Sequence, residues 1–495
     1  MLNNHKSTIA VIGSGFAGLS AAAVLASQNN DVTVFEKNAQ FGGRARVFES
    51  NGFVFDMGPS WYWMPDVYEK FYNLFGNTTS DFYELKKLDP GFKVIFGKND
   101  SFDIPANFEE VCELFESIEP GAADKLKLFI NDAEYKYHVG MNGLVYKPSN
   151  SITEFINFKL MKDIFRLQVF SPFSKHVRKY FKDPRLISLI EFPVLFLGAM
   201  PKDTPALYSL MNFSGLKQGT FYPMGGFGKV IDAFKTIAEK AGVNFLPSQN
   251  IDHLEIQSGA ITHVHSNTKC WNVDGVIGAA DYHHIETKLL PKKNQSYSES
   301  YWDSRTFAPS SLIFYLGINK KIKNISHHNL FFDENFEQHA QEIYINKKWP
   351  TAPLFYVCCP SKTDPTVAPE NSENIFILMP IATGLSDTEE IRNQYYQLIM
   401  DRLGKFAGEN ISDHVIFKKS YSVSNFINDY NAYKGNAYGL ANTLFQTAFL
   451  KPKLKSKKVK NLFYAGQLTV PGPGVPPSII SGQVAANELL KTLNY

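Results

Sequence analysis

Three glycine residues near the start of the chain constrain its fold more than any other feature. They lie in GSGFAG, residues 13–18, between an apolar, β-branched run at Thr8–Ile12 and an alanine-rich stretch. A second apolar run, Asp31–Phe35, follows and ends beside Glu36. A strand, a glycine loop, a helix and a second strand in this order build a parallel sheet. The N-terminal part therefore predicts an α/β fold of the Rossmann-like type.

The residue types in this unit are those that a dinucleotide requires. Gly13 permits a tight turn, Gly15 lets the backbone approach a pyrophosphate, and Gly18 lets the helix pack closely on the strand. The helix N-terminus adds N–H groups and a partial positive charge for the phosphates. Glu36, 18 residues beyond Gly18, is placed to accept hydrogen bonds from ribose hydroxyls. Residue type and spacing together predict a dinucleotide site.

Two further segments favour FAD over NAD. GGRAR, which begins at Gly42, offers a second place where backbone and a cation, Arg44, can meet a pyrophosphate. Near the C-terminus an apolar strand at residues 462–465 leads through a Gly-Pro-rich loop into an amphipathic helix, predicted from about Ser478. The positive end of that helix dipole suits the electron-rich edge of a reduced flavin ring.

Composition excludes several other classes of protein. The 495 residues are 44% hydrophobic and 20% charged, as in a globular chain long enough for two or three domains. A net charge of +2 argues against a nucleic-acid-binding protein. The chain has four cysteines, which form no CxxC or Cys/His ladder: Cys112, Cys270, Cys358 and Cys359. We therefore predict that it has no disulfide framework and no metal site, and that it resides in a reducing cytoplasm.

The order of the motifs resembles the FAD-dependent amine-oxidase and phytoene-desaturase superfamily. Within it, four stretches are similar to bacterial carotenoid desaturases of the phytoene-desaturase type: RARVFESNGFVFDMGPSWYWMPD, YPMGGFGKVIDAF, GAADYHHIETKLLP and AGQLTVPGPGVPPSIISG. The likeness runs end to end and is strongest in the first 70 and last 40 residues. Asn29 stands where the family usually has a glycine after the first helix. Gln467 replaces the acid of the oxidase relatives, which favours a desaturase over an amine oxidase.

The resemblance implies an FAD-binding Rossmann-like domain interleaved with a mixed α+β domain that faces substrate and membrane. The FAD-binding domain would take residues 1–100, 220–290 and 440–495, and the substrate-binding domain residues 100–220 and 290–440. Within these ranges, apolar spacing after Gly226 predicts a helix, and polar turns predict β-hairpins over residues 243–265.

The resemblance and the motifs together imply a set of cofactor-binding residues spread along the chain. In the superfamily a residue near Ile251 offers its backbone to the adenine. Asp281 would lie beside the cofactor, the alternative being that it only caps a helix. The set comprises Gly13, Gly15, Phe16, Ala17, Gly18, Glu36, Lys37, Gly43, Arg44, Gly58, Pro59, Ser60, Ile251, Asp281, Gly466, Gln467, Val475 and Pro476.

FDMGPSWYWMP, residues 55–65, gathers large flat apolar groups after a Gly-Pro turn. In a carotenoid desaturase, hydride leaves one allylic carbon for the flavin, the cation spreads over the polyene, and a proton leaves the neighbouring carbon. Such an enzyme must orient a long hydrocarbon and exclude water rather than supply a strong acid/base pair. We therefore predict Trp61, Tyr62, Trp63 and Met64 as the wall of the substrate channel. The alternative is an ordinary core.

The sequence indicates no catalytic residue. NDAEYKYHVG places Asp132, Glu134, Lys136 and His138 in alternation, which is typical of a solvated strand edge. No nucleophile motif accompanies them. We therefore leave the catalytic residues unassigned.

Residues 151–200 form a basic, phenylalanine-rich segment that predicts peripheral membrane binding. A solvated helix face is the alternative. The glycine spacing of residues 8–27 argues against a secretory signal, and no uninterrupted apolar run reaches the roughly 20 residues of a membrane span. Within residues 151–186, eight basic side chains oppose three acidic ones, a net charge of +5: Lys159, Lys162, Arg166, Lys175, Arg178, Lys179, Lys182 and Arg185 against Glu154, Asp163 and Asp183.

Three functions remain open at this point. The first is desaturation of phytoene or its partly desaturated products towards lycopene, at the cytoplasmic face of a membrane, with a quinone or oxygen as terminal electron acceptor. The second is the same machinery on another carotenoid, such as a 1'-hydroxycarotenoid 3,4-desaturase or a flavin-dependent isomerase. The third is a non-catalytic lipid-binding flavoprotein. The sequence gives no indication of the oligomeric state.

Overall fold

A computed structural model describes residues 6–149, 151, 166–267 and 269–493. The strands in these residues are β1 (Thr8–Ile12), β2 (Asp31–Phe35), β3 (Val47–Ser50), β4 (Phe53–Asp56), β5 (Leu85–Lys87), β6 (Phe92–Gly97), β7 (Asp100–Ile104), β8 (Phe221–Pro223), β9 (Asn244–Leu246), β10 (Ile251–Gln257), β11 (Ala260–Ser266), β12 (Lys269–Asn272), β13 (Gly275–Gly278), β14 (Ser310–Ile318), β15 (His328–Phe331), β16 (Phe355–Cys358), β17 (Glu373–Ile381), β18 (Val415–Tyr421) and β19 (Leu462–Tyr464).

The α-helices pack on these strands and on one another. They are α1 (Phe16–Ser27), α2 (Pro65–Asn73), α3 (Phe108–Ile118), α4 (Ala122–Met141), α5 (Phe173–Val177), α6 (Pro184–Glu191), α7 (Leu210–Asn212), α8 (Phe227–Lys240), α9 (Tyr282–His284), α10 (Glu299–Asp303), α11 (Phe336–Tyr344), α12 (Glu389–Ala407), α13 (Val423–Tyr430) and α14 (Val475–Leu493). Among the described helices, none combines the length and the apolar character that a bilayer span requires.

A five-stranded parallel sheet with the order β19-β13-β1-β2-β9 carries the glycine loop. β1 lies in the middle, paired in parallel with both β2 and β13. α14 packs closely on α1 because Gly482 of α14 has no side chain. A Cβ atom added to Gly482 would lie 2.2 Å from the carbonyl oxygen of Ala17 in α1. Ser20 Oγ also donates to the Ile479 carbonyl across this contact at 2.7 Å. The Rossmann-like prediction is confirmed.

The predictions for the middle of the chain also hold. α8 begins at Phe227, directly after Gly226. β10 and β11 form an antiparallel pair, with β12 added to its edge. Asn29 adopts a left-handed conformation at φ 63°, the turn for which glycine is otherwise preferred.

A second, seven-stranded sheet has the order β18-β14-β17-β16-β15-β6-β7. β14 is buried along its whole length. Its side chains alternate between two cores, since successive residues of a strand point to opposite faces. Phe314 packs against Tyr396 of α12 on one face. Ile313, with Leu378 of β17, lies on the other face, which belongs to the core that surrounds the candidate site.

A helical layer of α3 to α7, within residues 108–149 and 166–218, covers that second face. The predicted strand edge at Asp132 to His138 is wrong, since these residues lie in α4. Lys136 is buried and donates to Gln168 Oε1 at 3.0 Å, besides pairing with Asp132 at 2.7 Å. Asp132 and Lys136 are four residues apart, which is the spacing of neighbours on one face of a helix. The strand prediction failed because four alternating charged residues are too few to distinguish a strand from a helix.

Candidate functional site

A cavity of about 700 Å³ begins at the glycine loop between β1 and α1 and continues beneath the helical layer. Two regions meet in it. One is lined by the loops at the carboxyl ends of the parallel strands, and the other by apolar side chains of the seven-stranded sheet and the helical layer. The first region has the position at which α/β sheets bind nucleotides.

Backbone geometry explains the glycines in the first region. Gly13 has φ 103°, and a Cβ atom there would lie 3.0 Å from the Ala279 backbone. A Cβ atom on Gly15 would meet nothing within 4 Å, so its absence leaves the cavity side of the loop open to a ligand. Gly18 does not line the cavity. A Cβ atom on Gly18 would lie 1.9 Å from the Gly13 carbonyl oxygen, which agrees with its predicted packing role.

Glu36 is buried at the edge of the cavity and is held by the glycine loop itself. Its Oε2 accepts from Ser14 N at 3.1 Å and from Ser14 Oγ at 2.6 Å, and its Oε1 accepts from Asn38 N at 2.9 Å. Lys37 and Ile251 line the same end of the cavity. Oε1 also accepts from Asn38 Nδ2 at 2.9 Å. These four hydrogen bonds fix the carboxylate at the end of β2, where the motif predicts a ribose.

Arg44 reaches the cavity from the short turn Gly43–Ala45. Its Nη2 donates to the Asn436 carbonyl at 3.3 Å, while Nε has no hydrogen-bond partner among the described residues. Burial lowers the pKa of Arg44. A buried guanidinium with an unused donor fits a pyrophosphate ligand. Gly58 provides room for this turn, since a Cβ atom there would lie 2.6 Å from the Arg44 carbonyl oxygen.

The C-terminal segment closes the first region. Gly466 follows β19 at φ 112°, and its N–H donates to Ser481 Oγ at 2.9 Å. With its amide oxygen turned towards Arg44, Gln467 accepts from Nη2 at 3.0 Å. α14 begins at Val475, three residues before the predicted start, and Val475 and Pro476 line the cavity.

Asp281 lies at the cavity and at a helix N-terminus. It lines the cavity. It also caps α9, because its Oδ1 accepts from His284 N at 3.1 Å, and its Oδ2 accepts from Tyr433 N at 3.3 Å. Burial raises the pKa of this carboxyl.

The aromatic wall lies where the two regions meet. Trp61, Trp63 and Met64 line the cavity after Gly58, Pro59 and Ser60, which line it as well. The Trp61 ring stacks on His328 at 4.3 Å and meets Trp63 edge to face at 5.3 Å. Trp63 Nε1 donates to Thr220 Oγ1 at 2.9 Å. The two indoles are therefore held in fixed orientations.

Tyr62 does not reach the cavity, and we remove it from the predicted wall. It is fully buried, stacks on Tyr68 at 4.1 Å, and shares a hydrogen bond of 2.9 Å with Tyr83. The backbone is extended here and bridges to Phe221, so alternate residues face opposite sides. Trp61 and Trp63 share one side, and Tyr62 takes the other.

Several cavity residues carried no sequence signal. Tyr356 of β16 lines the wall, and its hydroxyl donates to Ser60 Oγ at 3.0 Å. Among apolar lining groups there is a polar patch of Tyr208, Asn442 and Thr447. Within it the Tyr208 and Thr447 hydroxyls are 3.0 Å apart, and Asn442 Oδ1 has no hydrogen-bond partner among the described residues. Tyr208 and Tyr356 are far from Asn442 and Thr447 in the chain, so no local motif could have gathered the four residues.

Exposed apolar side chains mark an opening of the cavity. Phe170 is 79% exposed and Leu450 43% exposed, and both line the cavity. Phe445, next to the lining residue Leu444, is 84% exposed. The opening lies beside the basic segment, of which Glu154, Lys159, Lys162 and Asp163 are outside the described residues.

The described charges of the basic segment are partly paired with acids. Arg178 forms an ion pair with Glu191, and Arg185 pairs with Asp183 at 2.9 Å. Arg166 lies over the Tyr135 ring at 3.5 Å. Lys175, Lys179 and Lys182 are exposed.

Comparison with known proteins identifies the family of the chain. The family model "Flavin containing amine oxidoreductase" matches residues 16–490. A carotenoid 3,4-desaturase of Haloarcula japonica is 37% identical over 488 residues, covering 98% of both chains. A 4,4'-diapophytoene desaturase of Staphylococcus aureus is 28% identical over 500 residues, covering 98% of this chain and 99% of the relative.

Solved structures share the fold at low sequence identity. An oxidoreductase from Methanosarcina mazei has a TM-score of 0.63 at 15% identity, covering 98% of this chain and all of the other. Cyclohexylamine oxidase from Brevibacterium oxydans has a TM-score of 0.57 at 15% identity, covering 99% and 100%. The glycine loop, the fixed Glu36 and the buried Arg44 meet the demands of FAD in this fold. The chain therefore belongs to the flavin-containing amine oxidoreductase family, among its FAD-dependent carotenoid desaturases.

Proposed function

We propose that this enzyme desaturates an acyclic carotenoid that carries a hydroxylated end, at the 3,4 position named for the Haloarcula relative. The observation that carries the proposal is the cavity itself, which joins the FAD-type loops to a long apolar region across the Trp61 and Trp63 wall. The polar patch of Tyr208, Asn442 and Thr447 favours an oxygenated substrate, since a hydroxyl could satisfy Asn442 Oδ1.

In this proposal the side chains bind and orient the polyene. Trp61 and Trp63 hold one face of it, while Ile313 and Leu378 keep water from the reacting carbons. Bound FAD supplies the two-electron acceptor for the hydride. Among the described residues that line the wall near Trp61 there is no strong base. Burial raises the pKa of the Tyr356 hydroxyl, which stays neutral and hydrogen-bonded to Ser60.

The exposed apolar opening supports entry of substrate from a lipid surface. Phe170, Phe445 and Leu450 would enter the acyl region, with Lys175, Lys179 and Lys182 near the head groups. In this arrangement the enzyme sits on the cytoplasmic face. Either a membrane quinone or oxygen accepts the electrons, which anaerobic assays with and without added quinone would distinguish.

Desaturation of phytoene is the second candidate, supported by the Staphylococcus aureus relative. Two bacterial hosts separate the candidates, one accumulating phytoene and the other a 1'-hydroxycarotenoid. A longer chromophore only in the second host supports the proposal, and conversion of phytoene supports the second candidate. Geometric isomers alone would indicate an isomerase, and an unchanged pigment in both hosts would indicate a non-catalytic flavoprotein. Asn442→Leu should lower turnover of the hydroxylated substrate more than that of its non-hydroxylated counterpart.

A further inference from the structure

One layer behind the aromatic wall, His327, His328 and Cys358 form a buried cluster. Their exposed fractions are 4%, 0% and 1%. One ligand atom of each, a ring nitrogen or the thiol sulfur, lies within 4.8 Å of the others. Trp61 stacks on His328 and separates the cluster from the cavity.

Strand pairing brings these residues together. His328 in β15 lies directly opposite Cys358 in the antiparallel strand β16. Residues opposite one another in such a pair project to the same face of the sheet. The Cys359 N–H donates to the His327 carbonyl at 2.7 Å and keeps the start of β15 in register. Two of the three residues thus lie on paired strands, and His327 directly precedes β15.

The hydrogen bonds leave the outer ring nitrogens free to act as ligands. The Tyr356 hydroxyl donates to Ser60 Oγ, so it accepts from His328 Nδ1 at 2.6 Å. Nε2 of His328 then carries a lone pair. His327 Nδ1 lies 2.7 Å from Thr363 Oγ1, which holds this ring by its inner nitrogen as well. This is the arrangement of metal-binding histidines, whose second nitrogen is held by a neighbouring polar group.

Neither Nε2 atom has a hydrogen-bond partner among the described residues, although both are buried. Two bare acceptors beside a thiol form an incomplete polar cluster, which folded proteins normally avoid. A bound cation would complete it.

We propose that His327, His328 and Cys358 bind one thiophilic d¹⁰ cation, Zn²⁺ or Cu⁺. Two imidazole nitrogens and a thiolate are ligands that both ions prefer. The thiolate neutralises Cu⁺ and leaves one positive charge with Zn²⁺. Asp364 lies close enough to His327 to interact with it electrostatically, so its carboxylate can offset that charge. The ion would fix His328 as the support on which Trp61 stacks, independently of which carotenoid reacts.

The test uses the untagged, FAD-loaded full-length protein purified in the presence of a thiol reductant. Elemental analysis should find about one equivalent of zinc or copper, and the identity of the metal decides between the two ions. X-ray absorption at the edge of that metal should show one sulfur at about 2.3 Å and nitrogen at about 2.0 Å for zinc. A metal-free protein that also takes up neither Zn²⁺ nor Cu⁺ after chelation would overturn the proposal. So would a metal without a sulfur ligand.

The vicinal cysteine provides a matched control. Cys359 is equally buried but belongs to the other core, with Sγ 3.5 Å from Ser361 Oγ. Cobalt(II) added to the demetallated protein should give a thiolate charge-transfer band in the wild type and in Cys359→Ser, but not in Cys358→Ser. Affinity for zinc should fall at least about tenfold in Cys358→Ser and in His327→Gln. Equal metal binding by Cys358→Ser and wild type would refute the site. The X-ray measurement on the wild type remains decisive if a variant fails to fold.

Discussion

At the scale of single residues, the first region of the cavity depends on Glu36. Its carboxylate orders Ser14 and Asn38 around the glycine loop and is placed for the ribose. Glu36→Ala should weaken FAD binding by about 1 to 3 kcal/mol, roughly 5- to 150-fold in Kd, because a charged acceptor is lost. Flavin fluorescence titration measures this. The exposed Glu49→Ala is the control, and FAD affinity unchanged by Glu36→Ala would contradict the assignment.

The aromatic segment yields a prediction that separates channel from core. Trp61→Ala should leave flavin bound but lower polyene turnover by about a hundredfold, because the reacting carbons lose their fixed position. Tyr62→Ala should lower the free energy of unfolding by about 3 kcal/mol or more, since Tyr62 is fully buried among Tyr68 and Tyr83. Urea unfolding and flavin occupancy, measured beside turnover, compare the two. Equal destabilisation by both changes would place Trp61 in the core.

A half-buried carboxylate, Asp56, makes stability depend on pH. Asp56 accepts from Phe227 N at 2.9 Å and Gly228 N at 3.2 Å, and burial raises its pKa from 3.8 to about 7. Since the pKa is higher in the folded state, its stabilising contribution is complete below about pH 4 and is lost as the pH rises through 7. Asp56→Asn should therefore remove part of the decline in unfolding free energy between pH 5 and 8. If the unfolding free energy of variant and wild type changed equally with pH, over roughly pH 5 to 8, the pKa of Asp56 would not be raised by folding.

At the scale of elements, close packing of α1 on α14 holds the two ends of the cofactor region together. A Cβ atom at Gly482 would lie 2.2 Å from the Ala17 carbonyl oxygen. Because that oxygen belongs to the backbone of α1, the two helices would have to move apart to remove the clash. Gly482→Ala should lower the free energy of unfolding by about 1 to 3 kcal/mol and loosen FAD. Gly97→Ala, which meets nothing within 4 Å, is the control. Thermal unfolding followed by flavin release provides the measurement, and equal midpoints for both variants would refute the packing argument.

At the scale of the whole molecule, the opening beside Phe170 and Leu450 should bind anionic lipid. Vesicle binding should weaken as salt rises, because each exposed lysine contributes about 1 kcal/mol that ions screen. Replacing Lys175, Lys179 and Lys182 by glutamine should weaken cosedimentation with anionic vesicles. The same replacement at Lys457, Lys458 and Lys460, which are equally exposed in another basic run, is the charge-matched control. Similar losses in both variants would indicate non-specific attraction.

The amino-acid sequence alone determined the parallel sheet, the FAD-type loops and the aromatic segment. Each depends on local chemistry: glycine spacing at Gly13 to Gly18, an acid at the end of a strand, and bulky rings after a Gly-Pro turn. These features can be recognised without their neighbours, since backbone freedom and side-chain size belong to the residues themselves.

Tertiary structure alone decided which side chains share a space. It placed Tyr62 in the core, because an extended backbone alternates its faces, and it put Lys136 on a buried helix face. It also brought His328 opposite Cys358, thirty positions further along the chain, through the pairing of β15 with β16. Contacts between distant segments depend on strand register and packing, which no local spacing encodes. For that reason the sequence predicted the cofactor, whereas only the folded chain revealed the polar patch and the cluster behind Trp61.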